Sequence, residues 1–223
     1  MSVIQGDAMS DQLERLQNAR NGKQRALSEE ELLEEDLRYE VIDGIIYMMA
    51  PPVPSHQIIL TAILRQLSYY LLNKPCQVFP SPFGFNPTDV LAEAGDEKTI
   101  AGLKNKREQW LEPDITVVCD PSKFDGRYYK GIPTMIVEIT SPSTSSRDSG
   151  RKKEIYEKIG VNEYWFVLDH HNVYVYLLKN GKYEQTFYTI DKGSLTIPVA
   201  CFPDLEITLD EKEITKFAAW YNA

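Results

Sequence analysis

The sequence predicts a mixed α+β domain, a central mixed β-sheet flanked by helices. Three observations lead there. Runs rich in β-branched and aromatic residues at 76–86, 113–119, 133–140, 163–169, 173–179 and 183–190 have the composition and length of strands. Two segments, 55–73 and 147–159, instead space their apolar residues at helical intervals. The order of these segments is irregular, unlike the alternating strand–helix series of a doubly wound sheet.

Each element has its own local reason. Residues 1–27 are polar with a weak helical pattern at Leu13 and Leu16, and read as an arm or an extra helix ahead of a single domain over 28–223. Ser28 and Glu31 have the spacing of a capping box, which starts a short helix to about Leu37. The run RYEVIDGIIYMMA (38–50) splits around Asp43-Gly44, a hairpin signal. After PPVPSH breaks the chain, Ile58, Ile59, Ala62, Ile63, Leu67, Tyr70 and Leu71 form the apolar face of a helix. An acidic loop is expected over 88–98 and a basic one over 102–108. The second helix stops at Gly160, a residue suited to the left-handed position after a helix. Asn180-Gly181 turns the run at 173–179 into the strand at 183–190, and 210–221 reads as a closing helix.

Composition narrows the class. The chain has 223 residues, 43% of them hydrophobic, enough for one domain with a sizeable core. No apolar run approaches the roughly 18 residues that a membrane span needs, and MSVIQGDAMS lacks a secretory pattern. Cys76, Cys119 and Cys201 are widely spaced and read as reduced core thiols of a cytoplasmic protein. The net charge of −9 argues against a general nucleic-acid binder. The charge is uneven, however: residues 101–160 hold 11 basic and 9 acidic side chains, so the excess acid lies elsewhere. That block can steer an anion, or it can be a solvated face.

Candidate chemistry gathers in three places. Glu138 stands in MIVEI (135–139), a strand apolar on both sides and therefore buried. A carboxylate there is costly unless it is paired or binds a metal; a bond to an arginine or to backbone is the alternative. Asp114 follows Pro113 at the start of a second strand, which could lie beside the first. Two carboxylates on adjacent strands form a hard oxygen site suited to Mg²⁺ or Mn²⁺. Lys152 shares a helical stripe with Ile155, Tyr156 and Ile159 and so faces inward, whereas Lys153 faces away. An inward lysine can hold a water or offset phosphate charge, or it can snorkel to the surface. Glu40, with the apolar neighbours Val41 and Ile42, is a candidate fourth member or an edge-strand ion pair. His56, Asp148, Thr140 and Arg151 are auxiliary or phosphate-contacting candidates. Tyr128 and Tyr129, beside Arg127 and Lys130, could stack on bases. His170 and His171 follow Asp169 in a hairpin turn and read as solvated.

With these residues in place, the chain resembles the Uma-type restriction-endonuclease-like proteins of the PD-(D/E)XK nuclease superfamily. The resemblance covers about residues 28–209. It rests on YEVIDG (39–44), His56, EPDITVV (112–118), VEITSPST (137–144), the series Asp148–Lys152–Tyr156 and GVNEYWFVLD (160–169). It implies a restriction-endonuclease-like core, with Asp114 and Glu138 as ligands of a divalent metal and Glu40 as a supporting acid. The superfamily places its lysine two residues after the second acid, where this chain has Thr140. The resemblance moves that role to Lys152, which the inward stripe selects independently.

The expected function is metal-dependent hydrolysis of phosphodiester bonds in nucleic acid, DNA before RNA, by a cytoplasmic homodimer using Mg²⁺ or Mn²⁺. The alternative is a catalytically inactive nuclease-fold protein acting as a nucleic-acid-binding or regulatory module. The relocated lysine and the acidic net charge favour that alternative.

Overall fold

The computed structural model describes residues 38–93, 109–126, 128–140 and 148–221. The elements described below belong to the unit Tyr39–Ala223. The arm over 1–27, the capping box at Ser28–Glu31, the basic loop and Arg127 lie outside the described residues.

This unit opens with a hairpin of β1 (Tyr39–Ile42) and β2 (Ile45–Met48). Ile42 pairs with Ile45, so the loop is the two residues Asp43 and Gly44. Both take positive φ, 53° and 76°, the twist that tight hairpins favour and that Asp-Gly supplies. Helix α1 (Pro54–Leu71) follows, with Pro54 in its first turn, where the missing N–H costs nothing.

Six strands form the central sheet: β3 (Gln77–Pro80), β4 (Ile115–Val118), β7 (Met135–Ile139), β8 (Glu163–Val167), β9 (Asn172–Lys179) and β10 (Lys182–Thr189). Their spatial order is β10-β9-β8-β7-β4-β3. The β7–β8 pair is parallel and the other neighbours are antiparallel, so the sheet is mixed. A parallel pair needs a crossover connection. Here that connection carries a widened, π-type turn at Asp148–Lys152 running into helix α3 (Lys153–Ile159). Gly160 ends this helix at φ 90°, as its position in the sequence predicts. Two short pairs complete the strands, β5 (Phe124–Asp125) with β6 (Tyr128–Tyr129) and β11 (Leu195–Pro198) with β12 (Glu206–Leu209). The closing helix is α4 (Glu211–Tyr221).

The sheet is covered on both faces. On one side, Ile59, Ile63 and Leu67 of α1 pack on Ile115, Val117, Val137 and Trp165. On the other, Ile155, Tyr156 and Ile159 of α3 pack with Ile136, Tyr164 and Phe166. Residues alternate between these two cores along each strand. Glu138, one step from Val137, therefore falls on the α3 side with Ile136.

Two expectations need correction. The segment read as an acidic loop over 88–98 begins as helix α2 (Pro87–Glu93). Asn86 Oδ1 accepts the Thr88 N–H at 2.8 Å, the bond that starts a helix, and Val90 and Leu91 are buried. The Asn-Pro pair carried that signal beneath the acidic composition. The second correction concerns the cysteines. Cys76 and Cys119 are joined in a disulfide, and Cys201 is free. The register pairs Gln77 with Val118, which sets the two cysteines opposite each other one step on. The Cys201 thiol is pushed up by burial and by the Glu163 carboxylate beside it, and stays protonated. No described helix is long and apolar enough to cross a membrane.

Candidate functional site

Glu40, Glu138 and Lys152 are respectively 2%, 3% and 3% exposed, among the most buried charged groups described. The sequence disperses them over β1, β7 and the turn before α3; the fold brings them together. Lys152 Nζ lies 2.7 Å from Glu40 Oε1 and 2.9 Å from Glu138 Oε1. The ammonium thus bridges two acids, the arrangement that a low-dielectric interior requires of buried charges. It is inward, as its stripe predicts, and it does not snorkel.

Asp114 precedes β4. Because Ile115 pairs with Val137, Asp114 stands opposite Glu138 one step further on. Its Oδ2 accepts the Ile139 N–H at 2.7 Å and lies 3.1 Å from His56 Nε2. His56, at the start of α1, thus orients a carboxylate. Thr140 donates its hydroxyl to the Leu168 carbonyl at 3.0 Å and serves the end of the strand. Arg151 forks onto Asp43 at 2.5 and 2.6 Å and reaches Glu154 at 2.8 Å, pinning the hairpin turn to α3. These bonds raise its pKa further, with Asp43 first among the causes. Asp148 begins the π-type turn.

Two participants have no role assigned by the sequence. Tyr156 donates its hydroxyl to Glu138 Oε1 at 2.6 Å. Burial, then the Glu138 and Glu40 charges, push this hydroxyl well above the ordinary tyrosine range, so it remains a donor. Its signal was its place four residues after Lys152, read as apolar stripe. The backbone N–H of Glu112 donates to Glu40 Oε1 at 3.0 Å, a bond that only the fold reveals. Tyr156→Phe is expected to lower stability by about 1–2 kcal/mol. Glu138 Oε1 then loses a hydrogen-bond donor, and a weakened buried acceptor costs roughly that much. The shift of the urea midpoint measures it.

Burial removes Tyr129 from the base-stacking expectation. Tyr129 is buried, whereas Tyr128 is exposed and meets Trp110 edge-on at 5.7 Å. Lys130 pairs with Asp125.

The implied Mg²⁺ or Mn²⁺ fits the donor set at Asp114 and Glu138. Both donors are carboxylates, the ligands such cations take, and they lie on adjacent strands. Asp114 Oδ1 has no protein partner among the described residues. Glu40 does not extend the pair to three converging donors. Among the described residues, three donor groups lie within 4.8 Å of one another only at His170, His171 and Glu211.

Comparison with known proteins agrees with this fold. The crystal structure of a putative nuclease of the DUF820 family from Anabaena variabilis superposes with a TM-score of 0.58, covering 86% of this chain and 99% of that one at 17% identity. An uncharacterised protein of Synechocystis is 27% identical over 134 residues, 58% of this chain; the match spans 62% of that relative's length. The model of the Uma2 family, described as putative restriction endonuclease, matches residues 26–210. The span takes in Glu40, His56, Asp114, Glu138 and Lys152, and the chain belongs to the Uma2 family.

Proposed function

We propose that this protein is a divalent-metal-dependent endonuclease that hydrolyses phosphodiester bonds of DNA. The observation that supports this best is the buried Glu40–Lys152–Glu138 bridge with Asp114 opposite Glu138 on the next strand. With both carboxylates ionised the bridge carries one excess negative charge, and Asp114 adds another. The strand ends therefore favour a cation. Nucleases of this fold generally use divalent metals.

Asp114 and Glu138 would hold Mg²⁺ or Mn²⁺. Such an ion polarises a phosphoryl oxygen and lowers the pKa of bound water. The chain's own groups do the rest. Lys152 fixes a positive charge beside Glu138, where it offsets charge developing on the phosphate. Tyr156 keeps its proton and orients Glu138 as a donor, so it is not the base. His56 holds the Asp114 carboxylate from the α1 side. A homodimer would present one such site to each strand of a duplex, and it belongs to the proposal.

The inactive binding module is the second reading. Lys152 favours it, because its ammonium is already bonded to both acids. An assay of the whole chain on supercoiled, linear and single-stranded DNA and on RNA, with Mg²⁺, with Mn²⁺ and with EDTA, separates the two. The expected result is nicking of supercoiled DNA with either ion, absent in EDTA and in Glu138→Gln. A folded wild type that cuts nothing with either ion overturns the proposal, as does undiminished cutting by Glu138→Gln.

A further inference from the structure

The turn from β8 into β9 is closely built. Asp169 Oδ1 accepts the His171 N–H at 2.7 Å and Asn172 Nδ2 at 3.0 Å, and Ile190 N–H donates to the His171 carbonyl at 3.1 Å. This folds His170 and His171 against each other, their ring centroids 3.9 Å apart. Both residues are partly buried and not fully solvated as the turn position suggested. The Nε2 atoms of both are buried and have no hydrogen-bond partner among the described residues. Two adjacent imidazole nitrogens left unsatisfied at one spot call for a shared partner.

The first residue of α4 supplies a third donor. Glu211 Oε1 lies 3.7 Å from His171 Nε2. Its other oxygen, Oε2, accepts the Gly193 N–H at 2.7 Å, which fixes the carboxylate's orientation. One ligand atom from each of His170, His171 and Glu211 lies within 4.8 Å of the other two. Donors about 2.0–2.1 Å from a tetrahedral ion stand roughly 3.3 Å apart, so a small inward adjustment would seat one. An ion pair between His171 and Glu211 alone leaves His170 Nε2 unexplained.

We propose that His170, His171 and Glu211 bind a divalent transition metal of the zinc class, tying the β8–β9 turn to the start of α4. Two imidazoles with one carboxylate suit Zn²⁺, Ni²⁺ or Cu²⁺ and are too soft a set for Mg²⁺. Three protein ligands leave a fourth position for water. The site is separate from the acid cluster on β7 and shares no residue with it. The Gly193 N–H has the orienting role of the outer partners that metal sites require.

The test is calorimetric titration of the full chain, free of any affinity tag and treated with EDTA, with Zn²⁺. One equivalent should bind with micromolar or tighter affinity, with millimolar Mg²⁺ failing to compete. Loss of an outer partner alone typically costs about 10–100-fold in affinity, so His171→Ala and Glu211→Gln should each weaken binding by at least about tenfold. Cys201→Ser should bind as wild type does, and bound Co²⁺ should give a tetrahedral visible spectrum without a thiolate band. Glu211→Gln keeps an acceptor for Gly193 and carries the test if a histidine variant fails to fold. The proposal is overturned if the wild type shows no saturable Zn²⁺ binding, or if Glu211→Gln binds undiminished.

Discussion

Lys152→Met is expected to destabilise the protein by about 3–5 kcal/mol at neutral pH, the usual cost of removing one partner from a buried ionic cluster. The volume is nearly kept, so the loss is electrostatic. Without the ammonium, Glu40 and Glu138 face each other in a site that gives them almost no water. Protonating either acid relieves the repulsion, so the deficit relative to wild type should narrow as the pH falls from 7 to 5. A divalent cation should recover part of it by binding the folded state. Urea unfolding at the two pH values measures both effects. A surface lysine would behave otherwise, costing under about 1 kcal/mol with little pH dependence. That result would contradict the buried bridge.

Asp114→Asn is expected to lower cleavage by at least about a thousandfold with little change in stability. Asparagine keeps a carbonyl oxygen for the Ile139 N–H, the bond that holds this side chain at 2.7 Å. What it loses is charge. A metal ligand controls several kcal/mol of the barrier, and each 1.4 kcal/mol or so is tenfold in rate. Comparing single-turnover cleavage with the thermal midpoint separates the two quantities. A parallel fall in both would mean that Asp114 is structural. Unchanged cleavage would remove it from the site.

The parts of this molecule that are legible in its sequence are those whose cause is local. The stripe through Ile59, Ile63 and Leu67 gives α1, and Asp43-Gly44 gives the hairpin. Glu138 stands out because an acid inside an apolar strand needs a reason. Lys152 is distinguished from Lys153 by helical phase alone. The missed features depend on pairings across the fold. Cys76 and Cys119 meet only through the β3–β4 register. Glu211 reaches His171 only because the β11–β12 pair returns the chain. Tyr156 was placed on the correct face, but its hydroxyl finds Glu138 through the βαβ crossover. Asn86 hid its capping bond in a segment whose composition suggested a loop.

The Cys76–Cys119 bond has a topological consequence. It closes a ring over a sequence separation of 43 residues that holds α2, the Trp110–Glu112 segment and Asp114. While the bond is intact, a single cut anywhere inside that ring leaves one covalent molecule. Both new ends stay tethered to β3 and β4, the strands on either side of the disulfide. Asp114 thus belongs to a cyclic segment anchored at the sheet, not to a linear excursion from it.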